Sequence, residues 1–330
     1  MINDINRAIV EIEYAVKEFL SNINFQSEFK IEFLGNLKFN HTYKPETSFK
    51  VHFNKPLTLE LGNKNYLKVR YCENINQINM IKLFYLSNKA HNINLARIIW
   101  TQNNILFTEW IDEYPQLDSQ VTSYRIGHLH GNIEKNSYSF KDKNKKFLMK
   151  KVHNYFKSME EANELFPFHP IITNQEKELI LNRLDPILQK TDIEFVLTVN
   201  EWKKEDIIFD YNGNPLLIDN ETISFNLTGF TIWHALKVRR YFPDKLDQES
   251  YIKGIKENFN DFENVILKND ELFRILFVLQ HGAKLHNMVR TAKKIDSIKG
   301  WKFLYKEIFE EHLIWINMII EGKDIVGLKS

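Results

Sequence analysis

The chain has 330 residues, a formal net charge of +1 and an apolar fraction of 43%. That length holds one large domain or two modest ones, and that apolar content supplies a packed core, which excludes disorder as the default. The near-zero charge argues against a dedicated nucleic-acid binder, which carries a strong basic excess.

The first predicted element is an amphipathic helix, with Ile5, Ile9, Ile12, Val16, Phe19 and Leu20 on one face. It lacks the charged start and unbroken apolar stretch of a signal peptide. No run approaches the roughly 20 apolar residues that span a bilayer. The single cysteine, Cys72, can form no internal disulfide and reads as a buried small hydrophobe in a reducing compartment. The cytoplasm is the expected location, with no membrane partner, and the sequons at Asn40, Asn220 and Asn226 read as chance matches.

Residues 29–71 read as an antiparallel meander. Phe49, Val51 and Phe53 alternate with polar neighbours, as do Leu57, Leu59 and Leu61. A turn is expected at Gly62-Asn63-Lys64-Asn65, then a strand at 66–71. Residues 75–90 have a helical period. Ile98 to Trp100 and Ile105 to Trp110 form a hairpin across Gln102-Asn103-Asn104. From about residue 118 helices dominate, at 118–134, 145–165 and 174–190. An apolar run, Phe195 to Val199, precedes a loop, and two short strands at Ile207–Asp210 and Pro215–Ile218 flank the turn Tyr211-Asn212-Gly213-Asn214. Residues 227–322 read as almost wholly helical. Strands followed by helices give an α+β architecture with separate lobes, and a cleft between lobes is a favoured ligand site.

Lys68, mid-strand in Tyr66-Leu67-Lys68-Val69, is a candidate phosphate clamp. From that segment alone, a solvent-facing lysine is the plainer reading. Glu201, Asp206 and Asp219 form the second candidate group, because a hairpin between Asp206 and Asp219 would return both to one end of a ribbon. Two oxygen ligands suit Mg²⁺ with substrate phosphates. From spacing alone, unrelated surface acids beside a turn is again the plainer reading. His128 and His130 are two apart and share no helix face, which argues against a zinc pair. No Gly-x-Ser-x-Gly elbow, Walker loop or dinucleotide fingerprint is present.

The ordered set of segments resembles the aminoglycoside/choline phosphotransferase superfamily over roughly residues 30 to 240. Val199-Asn200-Glu201 stands where that family has His-Gly-Asp, Asp206 stands at the Asn that closes the motif, and Ile218-Asp219-Asn220-Glu221 matches Ile-Asp-x-Glu. Leu67-Lys68-Val69 is similar to its lysine strand, Phe107-Thr108-Glu109-Trp110-Ile111 to its hinge, and Ile126 to His130 to the helix beyond. Pro45 to Val51 resembles the nucleotide-covering loop, without its glycines.

The resemblance implies a bilobal protein-kinase-like fold. Residues 1–111 would be a small antiparallel β-sheet lobe with its hinge at 107–111. Residues 112–330 would be a helical lobe carrying a catalytic loop at 198–209 and a metal-binding hairpin to 221. It implies ATP or GTP with Mg²⁺, a small-molecule acceptor and no nucleic acid; the oligomeric state stays open. Glu201 would be the base, Asp206 and Asp219 the metal ligands and Lys68 the phosphate clamp, with Ser48, Glu109 and Ile111 contacting nucleotide. The helix after the lysine strand offers Gln77 or Asn79 where a glutamate is expected. Trp202-Lys203-Lys204, and the basic stretch from Lys284 to Lys302, read as anion-attracting surface or as plain solvated faces. Three functions fit: a kinase for a hydroxyl of an antibiotic, amino alcohol or sugar-like metabolite; a pseudokinase that binds nucleotide or a protein partner; and a kinase-like fold turned to another nucleotide chemistry such as nucleotidyl transfer.

Overall fold

The computed structural model describes residues 2–34, 48–59, 62–72, 75–89, 91, 93–112, 114, 118–165, 170–199, 207–218, 223–238, 247–295, 314 and 316. They belong to two compact units, each built from three stretches of chain. Met1–Tyr138, Leu197–Phe225 and Tyr241–Phe259 form the first, and Ser139–Val196, Asn226–Arg240 and Asn260–Ser330 form the second.

In the first unit, α1 (Ile2–Asn22) packs its apolar stripe on a five-stranded antiparallel sheet. The strands are β1 (Phe29–Phe33), β2 (Ser48–Leu59), β3 (Gly62–Tyr71), β4 (Ile98–Gln102) and β5 (Ile105–Glu109), in the order β1-β2-β3-β5-β4. Alternation decides which face is apolar: Phe49, Val51, Leu67, Val69 and Phe107 point to one side, where Ile12, Val16, Phe19 and Leu20 meet them. Phe19 stacks on Phe107 and tilts against Trp100, both at 5.6 Å between centroids. Burying each such side chain contributes roughly 1.5–3 kcal/mol, so this stripe fixes the helix to the sheet.

Two expected strands at 49–53 and 57–61 are one, interrupted by a register shift between His52 and Leu57. The expected turn at 62–65 is instead the start of β3. Leu59 pairs with Gly62, and Gly62 takes a left-handed φ of +94°, which suits a residue without a side chain. The β4–β5 hairpin turns at Asn103 (φ +48°), as expected.

Helix α2 (Ile75–Lys89) follows β3 and buries Ile78, Ile81 and Phe84. Its last turn is tied to the end of α3 (Ser119–Asn136). Asn88 Nδ2 donates to Ser137 Oγ at 2.7 Å, and that hydroxyl donates back to Asn88 Oδ1 at 2.9 Å. Helix α3 starts on Asp118, whose carboxylate accepts from Gln120 N, and it lies against α7 (Gln248–Asn258) with almost no gap. A Cβ added at Gly127 would stand 2.1 Å from Tyr251 O, at Gly131 2.7 Å from Ile255 O, and at Gly254 2.1 Å from Tyr124 O. The glycines are what let the two backbones touch. Across this seam His130 Nδ1 and the Tyr251 hydroxyl share a 2.5 Å hydrogen bond, both groups fully enclosed.

The second unit carries β6 (Ser139–Lys141), α4 (Lys146–Leu165), α5 (Asn174–Lys190), the start of β7 (Glu194–Val199), the end of β10 (Ile223–Leu227), α6 (Phe230–Val238) and α8 (Phe262–Ile295). Helices α4, α5 and α6 all pack on α8. A capping box starts α5, with Thr173 Oγ1 accepting from Glu176 N and Glu176 accepting from Thr173 N. Trp233 is fully buried beside Phe230, Phe273 and Phe277, and its Nε1 donates to Asp270 at 2.8 Å. Strands β6, β7 and β10 form a small sheet in the order β10-β7-β6; in the sequence, β7 showed only as an apolar run at 195–199 before a loop. The side chains of the basic stretch 284–302, apart from Leu285, lie outside the described residues.

Burial holds the His130 imidazole well below its ordinary range and pushes His234 down to about 4. Below pH 6.5 the unfolded chain takes up protons that these folded sites refuse. Stability is therefore complete above about 6.5 and falls as pH drops, by roughly 1.4 kcal/mol per pH unit for each histidine while it stays neutral in the fold. Urea midpoints between pH 7.5 and 5 are expected to decline, and less steeply in His234→Phe; an equal slope in that variant would remove His234 from the effect.

Candidate active site

The register of the five-stranded sheet sets out its non-helix face residue by residue. Lys68 on β3 pairs with Lys50 on β2 and with Thr108 on β5, so all three project to the same side. Two positions along, Ser48 pairs with Arg70, which pairs with Leu106. Lys68 thus stands on the face away from α1, as a phosphate clamp would require. Ser48 is buried at the very start of β2, with its carbonyl accepting from Leu34 N at 2.9 Å; of the expected covering loop, Ser48 to Val51 belong to that strand and Pro45 to Thr47 lie outside the described residues.

The expected hinge divides into two parts. Phe107, Thr108 and Glu109 belong to β5, and Trp110 to Asp112 form the irregular exit from it. Glu109 is locked by its neighbour strand: its N–H donates to Arg97 O at 3.0 Å and its carboxylate accepts from Arg97 N at 2.9 Å. Its side chain is thereby committed to the hairpin. Trp110 Nε1 donates to Asp112 Oδ1 at 3.2 Å, while the Ile111 backbone has no hydrogen-bond partner among the described residues.

The two short strands are present as β8 (Ile207–Phe209) and β9 (Pro215–Leu217). Asp210 builds the turn between them. Its carboxylate accepts from the backbone N–H of Asn212 and Asn214 and from Asn214 Nδ2, with Gly213 at φ +72°. The ribbon is gripped on three sides. Ala96 N donates to Leu217 O at 3.2 Å, Tyr114 N donates to Phe209 O at 3.1 Å, and Arg125 on α3 donates to Asn212 O at 2.6 Å. The chain entering β4 and the chain leaving the hinge therefore both dock on the same hairpin.

At the ribbon's open end Ile207 pairs with Leu217. Asp206 precedes the first of these in sequence and Asp219 follows the second by two residues. Glu201, Asp206 and Asp219 themselves, like Trp202-Lys203-Lys204, lie outside the described residues. Strand β7, which leads toward Glu201, is fully buried from Phe195 to Val199.

By sequence alone, no family model and no curated protein matches the chain. Solved structures match it along nearly its whole length. Choline kinase LicA from Streptococcus pneumoniae superposes with a TM-score of 0.55 at 11% identity, over 93% of this chain and 99% of its own. The amicoumacin kinase, in complex with AMP-PNP, Ca²⁺ and its Ami ligand, gives 0.52 at 10% identity over 97% of both chains. Choline kinase from Cryptosporidium parvum gives 0.51 at 15% identity over 90% of both. This chain has the protein-kinase-like fold. It is α+β, with an antiparallel five-stranded sheet toward the N-terminus and a mostly helical remainder, as the resemblance to the phosphotransferase superfamily implied. Within this kinase-like fold His130 is a buried hydrogen-bonding partner of Tyr251. Among the described residues no group of three His, Cys, Asp or Glu side chains converges as a metal cage, and no helix is long and apolar enough to cross a membrane.

Proposed function

We propose that this chain is an ATP-dependent phosphotransferase that delivers the γ-phosphoryl group to a hydroxyl of a small molecule. The observation that supports it most is the β8–β9 ribbon, held by the run into β4 on one side and by the exit from the hinge on the other. That connection ties the segments expected to bind the nucleotide to the ribbon whose ends continue to Asp206 and Asp219. The amicoumacin kinase with AMP-PNP and Ca²⁺, and LicA with AMP, are nucleotide complexes on the same fold.

In this reading Lys68 neutralises the α/β-phosphates and Ser48 faces the phosphate tail. The backbone of Glu109 and Ile111 receives the base, and the unpartnered Ile111 backbone suits that role. Asp206 and Asp219 offer carboxylate oxygens, a donor set that fits Mg²⁺. The bound metal would supply charge neutralisation on the phosphates. Glu201 accepts the acceptor's hydroxyl proton, which makes the oxygen a better nucleophile at the moment of transfer. The acceptor class is a hydroxyl of an antibiotic, amino alcohol or sugar-like metabolite.

A pseudokinase is the second reading, and one observation favours it. Helix α2 contains no acidic residue, so it cannot supply the carboxylate that pairs with the clamp lysine in active kinases. Mg²⁺-ATP decides the first step. Saturating nucleotide is expected to raise the melting temperature by mass action, about 2.7 kcal/mol of stabilisation at 100 times Kd. A flat melting curve at millimolar Mg²⁺-ATP would remove the kinase reading. A shift without transfer to any member of a hydroxyl-acceptor screen would leave the pseudokinase in its place.

A further inference from the structure

Lys50 stands on the non-helix face of the sheet, with Glu32 of β1 opposite it on one side and Lys68 of β3 on the other. Its own cross-strand row therefore holds a carboxylate. The ammonium nevertheless lies one row further along, at the hinge end of the face. Its Nζ is 4.1 Å from the ring centroid of Tyr66 and 4.1 Å from that of Trp110, an arrangement that attracts a cation to both rings. Tyr66 is itself braced by its cross-strand partner His52, whose ring stacks on it at 4.8 Å.

The contact with Trp110 crosses from the sheet to the chain that leaves it. Trp110 is held in two ways: the ammonium lies over its ring, and its Nε1 donates to Asp112 Oδ1 at 3.2 Å. The backbone is also fixed before and after it. Glu109 N donates to Arg97 O at 3.0 Å, and Tyr114 N donates to Phe209 O at 3.1 Å. Ile111 thus sits between anchored neighbours, while its own backbone has no hydrogen-bond partner among the described residues. Backbone groups held still and unspent can meet the polar edge of a planar ligand with little ordering cost.

We infer that Lys50 is a positioning residue of the hinge: its ammonium, shared between Tyr66 and Trp110, presets the backbone that receives the base and takes no part in holding the phosphates. This rests on the nucleotide reading of the site. The two lysines of one cross-strand pair then serve opposite ends of the ligand, Lys68 the phosphate chain and Lys50 the base. Because the tie acts on the hinge before any ligand arrives, its loss weakens every ligand that carries a base by the same factor. A phosphate chain without a base is unaffected.

The test is calorimetric titration of the full chain with adenosine, ATP and inorganic tripolyphosphate, in wild type, Lys50→Gln, Lys50→Arg, Trp110→Leu and the Lys50→Gln, Trp110→Leu double variant. Lys50→Gln is expected to weaken adenosine and ATP alike, about fivefold, the size of one partly exposed cation–ring contact, and to leave tripolyphosphate unchanged. Lys50→Arg keeps a cation over the rings and is expected to restore binding. In the Trp110→Leu background, Lys50→Gln is expected to cost nothing further, because the tie is already gone. A second fivefold loss there overturns the inference, as does weaker tripolyphosphate binding in Lys50→Gln. Unchanged adenosine and ATP binding in Lys50→Gln overturns it while leaving the nucleotide reading intact. A wild type that binds neither adenosine nor ATP removes both.

Discussion

In Glu201→Gln, phosphoryl transfer is expected to fall by about 10²- to 10⁴-fold while the Mg²⁺-ATP melting shift survives. The substitution preserves length and shape and removes only the proton acceptor, and general-base contributions have that size. Binding depends on Lys68 and the proposed metal ligands, which the change leaves alone. The informative companion is Glu201→Asp. It restores the residue type expected by resemblance, but it retracts the carboxylate by one methylene. If the site has been built around the longer side chain, turnover drops again, since a misplacement near 1 Å costs about 10²-fold. Steady-state kinetics of the three proteins separates the cases. Full turnover in Glu201→Gln would take the base role away from Glu201, and higher turnover in Glu201→Asp would mark the glutamate as a damaged aspartate.

The second large effect is structural. Gly254→Ala places a methyl group 2.1 Å from the backbone oxygen of Tyr124 and 2.7 Å from the backbone nitrogen of His128. Alanine is the better helix former by about 1 kcal/mol, and at an open site the change would stabilise. Here the obstacle is backbone on both sides, so α3 and α7 must move apart. The cost of such overpacking is typically 1–3 kcal/mol or more, and the seam also holds the His130–Tyr251 hydrogen bond. A net loss of about 2 kcal/mol or more is expected in urea denaturation. Activity is expected to fall with it, because Arg125 on α3 holds the turn of the β8–β9 ribbon. A midpoint equal to wild type would mean that the seam is looser than the backbone distances imply.

Much of the fold was legible from periodicity, because most helices carry a single apolar stripe. Helix α5 was expected at 174–190 and spans Asn174–Lys190, and α4 was expected at 145–165 and spans Lys146–Leu165. The β8–β9 ribbon was legible from its Asn-Gly turn. Other features depend on contacts that no local pattern encodes. Gly127, Gly131 and Gly254 look like weak points within helices when read singly; only the opposed backbone shows why each must lack a side chain. The Gly127-x-x-x-Gly131 spacing was the available signal. The ammonium of Lys50 lies over the rings of Tyr66 and Trp110, 16 and 60 positions away, a contact that no local pattern announces. The short strands β6 and β10 gain their strand character from pairing with β7. For the candidate site, sequence order identified the ribbon and the lysine strand, and the roles of Glu201, Asp206 and Asp219 await the kinetics.

The interleaving of the two units has a consequence for biogenesis. A nascent chain that has emerged as far as Tyr138 has made α3 but not the helix that covers its glycine face, and α7 is complete only at Asn258. On the order of a hundred residues separate the two, which is about 6–24 s at ordinary rates of synthesis. During that interval the seam stays open to water and to chaperones. The first unit closes only after the ribosome has also delivered about half of the second, so neither can be expressed as a contiguous fragment and expected to fold.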